Sequence, residues 1–235
     1  GWPGISSNLL TAKDKKKITS ELKKHNCHPV FLNDSEVENY YSGYCNATLW
    51  PLFHYFSSMA RYEDKYWESY VRVNSLFYRE VKKVLSSNTR VWVHDYQLML
   101  LPKLLRDKHP GALIGFFLHI PFPSYEIFRL LPERKELLNG LLGADLIGFH
   151  TYDYVRHFRS SISQAFGLSN KLGHIRYHDR VVKVDAFPIG IDYKKFAKTA
   201  KNRNIEKLVG SFGIHKKNNK IILAVDRADY SKGIP

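Results

Sequence analysis

The stretch LIGFFLH, residues 113–119, is a short apolar run that ends in a histidine, and three more runs in the chain share this design. They are RVWV before His94-Asp95, ADLIGF before His150, and IILAV, residues 221–225, before Asp226-Arg227. A fifth run, Val181 to Phe187, leads into Pro188. Each run is short for a helix and rich in Val, Ile, Leu and Phe, which is typical of a strand buried on both faces. We therefore predict a strand at all five positions.

Helical patterns separate these strands. Between Tyr66 and Leu85, apolar residues recur at spacings of three and four, which predicts an amphipathic helix. Further helices are predicted at Gln97 to Leu105, Tyr125 to Leu131 and Tyr152 to Phe166. Strands that alternate with helices predict the α/β fold class, with a Rossmann-like parallel sheet and helices on both of its faces.

Polar residues follow four of the predicted strands, where ligands of such sheets bind. They are His94, Asp95, His119, His150, Arg227 and Lys232. A single polar residue after a buried strand often only caps the next helix or holds a loop. The same arrangement after four strands is harder to explain in that way, so the group predicts a ligand site.

The chemistry of that site is narrowed by motifs that the sequence lacks. The three histidines have no short metal-binding spacing, and no nucleophile elbow, P-loop or dinucleotide fingerprint is present. Phosphates would then be held by side-chain cations and loop amides. Arg227 and Lys232 suit that task, since a guanidinium offers a fork of donors and an ammonium a compact charge. An ordinary basic loop is the alternative.

The segment from Asn39 to Tyr55 mixes aromatic residues with Asn, Ser and Gly. We expect it to form a poor regular helix and to suit a sugar site, where ring faces stack and small polar groups bond hydroxyls. The alternative is that Trp50 and Phe53 simply pack the core.

Composition limits the partners and the cellular location that we expect for this protein. The chain has 235 residues, of which 44% are hydrophobic, and a net charge of +14, which favours anionic partners. The basic residues are dispersed and no nucleic-acid motif is present, so we expect no nucleic-acid partner. Cys27 and Cys45 give no disulfide framework, and neither a signal peptide nor a membrane-spanning run is evident. We therefore expect a cytoplasmic protein without a membrane partner.

Five motifs together resemble the trehalose-6-phosphate synthase family of retaining glycosyltransferases, and the likeness runs in order through the whole chain. They are LWPLFHY (49–55, preceded by Tyr40-Tyr41), WVHDYQL (92–98), GFFLHIPFP (115–123), FPIGI (187–191) and DRADYSKG (226–233). The resemblance implies the glycosyltransferase-B fold, in which two Rossmann-like domains face each other across a cleft. It also implies transfer of glucose from UDP-glucose to glucose 6-phosphate, which yields trehalose 6-phosphate and UDP, without a metal or other cofactor.

Roles for individual residues follow from the resemblance alone. Tyr41, Trp50 and Asp95 match residues that bind glucose 6-phosphate, and Trp2 matches a tryptophan of the acceptor lobe. His119 and His150 match positions that face the donor glucose, and Arg227 and Lys232 match the pair that grips the UDP phosphates. The catalytic group would be Asp95, His119, Arg227 and Lys232. The family mechanism uses no protein nucleophile, in agreement with the absence of a nucleophile–base pair. Gln97 and Ala228 depart from the family's usual His and Leu.

The resemblance also predicts how the chain is divided. Residues 1–192 would be the acceptor-binding domain without its first strand and loop, and residues 193–235 a linker helix and the first strand and loop of the donor domain. We therefore expect a truncated chain that is inactive alone, with an exposed strand at 221–225. A non-catalytic relative that senses sugar phosphate or scaffolds a complex is the alternative. A homo-oligomer, or association with a trehalose-phosphate phosphatase domain, is also compatible with the family.

Overall fold

A computed structural model describes residues 1–86, 88–212 and 224–233 of the chain. They divide into two compact units, Gly1–Pro188 and Ile189–Pro235. In the strand predicted at 221–225, residues 221–223 lie outside the described residues. The next two, Ala224 and Val225, are not part of a strand.

Helices lie at the four predicted positions of the first unit, with different ends at three of them, and the sequence pattern did not indicate the other helices. The α-helices described in this unit are α1 Ala12–Lys24, α2 Asp34–Glu36, α3 Trp50–Phe53, α4 Asp64–Val81, α5 Leu101–Lys108, α6 Tyr125–Phe128, α7 Arg134–Leu141 and α8 Tyr152–Phe166. Single 3₁₀ turns occur at Ser7–Leu9, Ser57–Met59 and Tyr96–Leu98. The predicted helix α8 has the observed bounds, because Thr151 caps its first turn and Gly167 ends it in the left-handed conformation.

Within the described residues, six strands form one sheet in the order β1-β2-β3-β6-β5-β4. The strands are β1 Arg90–His94, β2 Leu113–Phe117, β3 Leu146–Phe149, β4 Asn170–Lys171, β5 His174–Tyr177 and β6 Arg180–Ala186. The first three and β6 are parallel, as predicted, whereas β4 and β5 add an antiparallel edge that the sequence pattern did not indicate.

Helices cover one face of this sheet. The chain moves from β1 to β2, β3 and β6 in a single direction across the sheet. Right-handed crossovers therefore place the connecting helices on the same side. On that side the strand residues are buried, as Phe116 and Phe149 illustrate. On the other side the exposed fractions of Trp92 and Leu113 are 68% and 57%. The α/β class and the parallel arrangement of β1, β2, β3 and β6 are confirmed.

The aromatic segment does not form a regular α-helix, as expected, but most of it is a helix of another type. Val37–Leu49 forms a π-helix of 13 residues, whose wider turn is illustrated by the bond from Trp50 N–H to the Cys45 carbonyl. Tyr40 and Tyr44 pack on the buried Tyr70 of α4, with ring centroids 5.8 and 4.6 Å apart. Burial of these rings stabilises a backbone form that local propensity does not favour.

Where the structure describes the second unit, two helices are present, α9 Tyr193–Ala200 and α10 Arg203–Ser211, together with a 3₁₀ turn at Tyr230–Lys232. Helix α9 begins where the resemblance implies a linker helix, and its role as a linker stays a prediction. The structural division after Pro188 lies close to the predicted domain boundary after Asp192.

Candidate functional site at the carboxyl edge of the sheet

The three histidines predicted for the site lie side by side where the parallel strands end. His94 Nδ1 is 2.9 Å from His119 Nε2, and their rings are 5.2 Å apart with an interplanar angle of 25°. The His119 and His150 rings are 5.8 Å apart in an edge-on arrangement. Register places the row on one face, because His94 pairs with Phe117, two residues before His119, and Phe117 pairs with Gly148, two residues before His150. We call His94, His119 and His150 the histidine row.

Phe117 holds the histidine row from below. Its ring centroid lies 4.8 Å from that of His119 and 5.1 Å from that of His150. Gly148 makes room for this ring, since a Cβ at that position would lie 2.7 Å from Phe117 Cδ2. Alternation along β2 places Phe117 on the face of His119, and this pattern could have identified Phe117 from the sequence.

Asp95 occupies a strained backbone conformation directly after β1. Its φ of 73° and ψ of 171° fall in a region that is otherwise almost restricted to glycine and costs about 1–3 kcal/mol. Its N–H donates to the Phe117 carbonyl at 2.8 Å, and its Oδ1 accepts from the N–H groups of Tyr96 (3.0 Å) and His119 (3.2 Å). The carboxylate is therefore fixed against the backbone that carries His119.

The pKa values of the neighbouring Asp95 and His94 are shifted in opposite directions. Burial raises the pKa of Asp95, although the backbone donors of Tyr96 and His119 and the two imidazoles oppose the rise. Burial and then the nearby His119 lower the pKa of His94, against the opposing effect of Asp95. The lowered pKa favours the neutral form of His94 beside the Asp95 carboxyl group, and this pair suits hydrogen bonding to hydroxyl groups.

Trp50 is linked to Asp95 through the intervening Tyr96. The Trp50 ring lies 4.1 Å from that of His54 and 5.8 Å from that of Tyr96, and the Tyr96 hydroxyl donates to Asn46 Oδ1 at 3.0 Å. Trp50 is half-buried, so it both packs on the core and borders the site. The sequence pattern did not indicate Tyr96 as a site residue, although Tyr96 directly follows Asp95.

The core-packing alternative is confirmed for Phe53. This side chain is fully buried, and its ring packs edge-on against Phe122 and Phe128.

Trp2 and Tyr41 form a separate aromatic pair. Their ring centroids are 5.1 Å apart, and Trp2 Nε1 donates to the Ile5 carbonyl at 3.1 Å. The segment is held in place because Val30 N–H donates to the Gly1 carbonyl at 2.8 Å. The structure therefore joins two predicted acceptor-binding residues that are 39 positions apart in the sequence.

Arg227 and Lys232 lie in the second unit, on a loop organised by Asp226. Lys232 Nζ is 3.7 Å from Asp226 Oδ2, and the N–H of Arg227 donates to Asp226 Oδ1 at 2.8 Å. Asp229 caps the 3₁₀ turn, and Gly233 ends it with a φ of 64°. The left-handed glycine confirms that this position needs a relaxed backbone.

Neither a metal-binding cluster nor a membrane span is found among the residues that the structure describes. No group of three or more His, Cys, Asp or Glu side chains there has an arrangement that could hold a metal ion. No helix in the same part of the chain combines the length and apolar composition needed to cross a membrane.

Comparison with known sequences matches the chain over residues 1–235 to the profile of glycosyltransferase family 20. The chain is 45% identical to an α,α-trehalose-phosphate synthase (UDP-forming) A of Dictyostelium discoideum and 45% identical to an α,α-trehalose-phosphate synthase (UDP-forming) of Pichia angusta. Both matches cover all of this chain, which spans 32% and 50% of the length of those two relatives.

Solved structures give the same picture of the fold. A UDP-forming α,α-trehalose-phosphate synthase from Burkholderia xenovorans superimposes with a TM-score of 0.78 at 35% identity, over 88% of this chain and 46% of that one. A structure of the synthase from the same organism in complex with glucose 6-phosphate has a TM-score of 0.72 at 31% identity, over 79% and 43% of the two chains. The N-terminal domain of a trehalose-6-phosphate phosphatase from Candida albicans matches with a TM-score of 0.72 at 35% identity, over 86% and 45%.

Proposed function

We propose, because the chain belongs to glycosyltransferase family 20, that the whole protein transfers glucose from UDP-glucose to glucose 6-phosphate and releases trehalose 6-phosphate and UDP. The observation that carries the proposal is the joining of Asp95 to His119 at the edge where parallel α/β sheets bind ligands. Residues 1–192 would bind the acceptor, and residues 193–235 would begin the domain that binds the donor.

Asp95 is proposed to bind the acceptor sugar. Its Oδ1 already accepts two backbone N–H groups, so Oδ2 is the oxygen available to acceptor hydroxyls. Trp50 would offer a ring face beside Tyr96 to the same sugar. Trp2 and Tyr41 would form the outer wall of the acceptor site, because their aromatic pair presents both apolar faces and polar tips.

The donor side would use one histidine pair and one cation pair. His119 and His150 would bond hydroxyls of the donor glucose, since imidazole nitrogens can donate or accept. Arg227 and Lys232 would hold the UDP phosphates, with Asp226 fixing the loop that carries both cations.

Catalysis in this scheme consists of positioning and stabilisation of charge. The acceptor hydroxyl attacks the anomeric carbon of glucose, the bond to the diphosphate breaks, and the leaving phosphate oxygen takes the hydroxyl proton on the same face. Arg227 and Lys232 would stabilise the negative charge that develops on the diphosphate. Asp95 would orient the acceptor rather than act as a nucleophile.

The test is UDP release from UDP-glucose, with and without glucose 6-phosphate. We expect the whole protein to release UDP only when glucose 6-phosphate is present, and Asp95→Asn to lower kcat/KM for glucose 6-phosphate by about 10²-fold. Asp107→Asn is the matched control, because Asp107 pairs with Lys103 on α5 away from the carboxyl edge. No glucose 6-phosphate-dependent release by the whole protein would overturn the proposal.

The 235-residue chain alone is expected to be inactive. It spans only 32% and 50% of the two curated relatives, so much of what those proteins contain has no counterpart in it. We expect glucose 6-phosphate binding without turnover, measured by calorimetry and by the same UDP assay. Glucose 6-phosphate-dependent turnover by this chain would contradict the expectation of inactivity.

A second candidate is a non-catalytic role as the N-terminal part of a trehalose-phosphate phosphatase. The match to the Candida albicans phosphatase domain at 35% identity favours it specifically. Sugar-phosphate sensing or scaffolding would then replace transfer. Phosphate release from trehalose 6-phosphate by the whole protein, without any UDP release, would favour this candidate over the synthase.

We also propose a cytoplasmic location, because both cysteines, the exposed Cys27 and the buried Cys45, are free thiols. Association with a phosphatase domain or with further copies of the protein is a separate proposal. Fractionation of cells and size-exclusion chromatography of the whole protein test these two points.

A further inference from the structure

His94 stands next to the proposed donor-binding histidine but has no role in the scheme above. It is the last residue of β1, and its ring lies between two others: Trp92 at 4.5 Å and His119 at 5.2 Å. The polar contact in this stack joins His94 Nδ1 to His119 Nε2 at 2.9 Å. That distance is typical of a hydrogen bond with one proton between the two nitrogens.

One shared proton couples the tautomers of the two neutral rings. If His94 Nδ1–H donates, His119 accepts at Nε2 and must carry its own proton on Nδ1. If His119 Nε2–H donates, His94 accepts at Nδ1 and must carry its own proton on Nε2. In either case both rings hold the proton on the same type of nitrogen, and His119 Nδ1 is the nitrogen left for a ligand.

The other neighbours of His119 restrain its ring but do not select a tautomer. Phe117 packs at 4.8 Å with an interplanar angle of 52°, and His150 approaches edge-on at 5.8 Å. Asp95 Oδ1 accepts from the backbone N–H of His119 and not from its ring. The hydrogen bond to His94 is therefore the contact that distinguishes Nε2 from Nδ1.

We propose that His94 is a positioning residue that couples the tautomer of His119 to its own and holds the orientation of the ring, so that Nδ1 of His119 faces the donor sugar. The role toward the sugar rests on the proposed function, whereas the coupling of the two rings does not. Lowering of the His94 pKa by burial agrees with a neutral ring in this position.

The coupling is tested without substrate by long-range ¹H–¹⁵N NMR of the 235-residue chain near pH 8. We expect both imidazoles to be in the same tautomer, with one pyrrole-type and one pyridine-type nitrogen each. His94→Asn should keep the tautomer of His119, because the Asn amide places a polar atom where Nδ1 was. His94→Gln places it at the Nε2 position and should lose the tautomer, as should His94→Phe. Opposite tautomers in the native chain, or an unchanged His119 signal in His94→Phe, would overturn the proposal.

Kinetics of the whole protein test the consequence for the donor. We expect His94→Phe to lower kcat/KM for UDP-glucose by about tenfold, the effect of losing one hydrogen bond, while KM for glucose 6-phosphate stays the same. His94→Asn should recover most of the loss. In a His119→Ala background His94→Phe should have no further effect, since His94 acts through His119. Equal effects of His94→Phe in both backgrounds would refute the positioning role.

A matched control separates this role from general destabilisation. His109 also makes a polar contact with an aromatic residue, since its Nε2 is 3.3 Å from the Tyr78 hydroxyl. This contact lies at the opposite end of the sheet. His109→Phe should leave the kinetics unchanged. If the NMR coupling holds and the whole protein releases no UDP, the proposed function fails and the histidine pair survives. If UDP release holds and the tautomers are independent, only the positioning role fails.

Discussion

The strain at Asp95 predicts an unusual order of stability between two substitutions. Asp95→Ala and Asp95→Gly both remove the carboxylate, so both lose the bonds to the N–H groups of Tyr96 and His119. They differ in how well the new residue tolerates φ 73° and ψ 171°. Alanine retains the steric conflict that this conformation imposes on any residue with a Cβ, whereas glycine does not.

The size of the difference follows from two opposing effects. Relief of backbone strain in this region contributes about 1–3 kcal/mol in favour of glycine. The extra conformational freedom of glycine in the unfolded chain opposes it by about 0.5–1 kcal/mol. Taking the middle of each range, we expect the free energy of unfolding of Asp95→Gly to exceed that of Asp95→Ala by roughly 1 kcal/mol.

Urea unfolding followed by circular dichroism and tryptophan fluorescence measures this difference. The same pair of substitutions at Glu68, an exposed position inside α4, is the control. There the order should reverse, with alanine more stable than glycine by about 1 kcal/mol. An Asp95→Ala variant as stable as Asp95→Gly would refute the inference that Asp95 is strained.

Three further predictions concern charge and packing in the first unit. Burial raises the pKa of Asp145, but the Ile114 N–H and two arginines together lower it by more, so the net shift of this pKa is downward. Asp145→Asn should cost about 1 kcal/mol at pH 7, and the difference from the native chain should shrink as the pH falls below about 4, measured by urea unfolding across pH. His94 should titrate below about 6.5 by NMR, and His119→Ala should raise its pKa; stability linked to neutral His94 is present above about pH 6.5 and is lost as the pH falls. Gly148→Ala should destabilise the fold by about 1–3 kcal/mol in thermal unfolding, because the new Cβ meets the ring beneath the histidine row.

Two of these predictions, those for Asp145 and Gly148, have a control elsewhere in the chain. Asp107→Asn removes a carboxylate whose partner is the exposed Lys103, and it should cost less than Asp145→Asn. Gly111→Ala adds a Cβ where no atom lies within 4 Å, and it should be close to neutral. A pH-independent effect of Asp145→Asn, an unchanged His94 titration in His119→Ala, or a Gly148→Ala variant as stable as Gly111→Ala would each contradict the corresponding prediction.

The parallel strands were predictable because their sequences carry the burial directly. Apolar residues run without interruption through β2 and β3, and the polar residue at each end marks the carboxyl edge. Asp95, His119 and His150 could be assigned to one edge for the same reason. The β4–β5 hairpin carries no such pattern, since its strands have two and four residues and include Lys171, His174 and Arg176.

The π-helix could not be predicted from local sequence. Its stability depends on contacts with residues far along the chain, such as Tyr44 with Trp67 at 5.3 Å, and on the close approach of Tyr66 to Gly43. An added Cβ on Gly43 would lie 2.6 Å from the Tyr66 ring. Local propensity favours neither this turn type nor its length, so tertiary packing decides the backbone here.

The uncovered face of the sheet and the histidine row are physically connected through Trp92. Strand alternation places Trp92 and His94 on the same face of β1, and their rings are 4.5 Å apart. His94 in turn bonds His119. The Trp92 ring is 68% exposed, so the packing of this ring is open to change by a group that covers it. Such a change would act first on the orientation of His94 and, through the shared proton, on whether Nδ1 of His119 donates to a ligand or accepts from it.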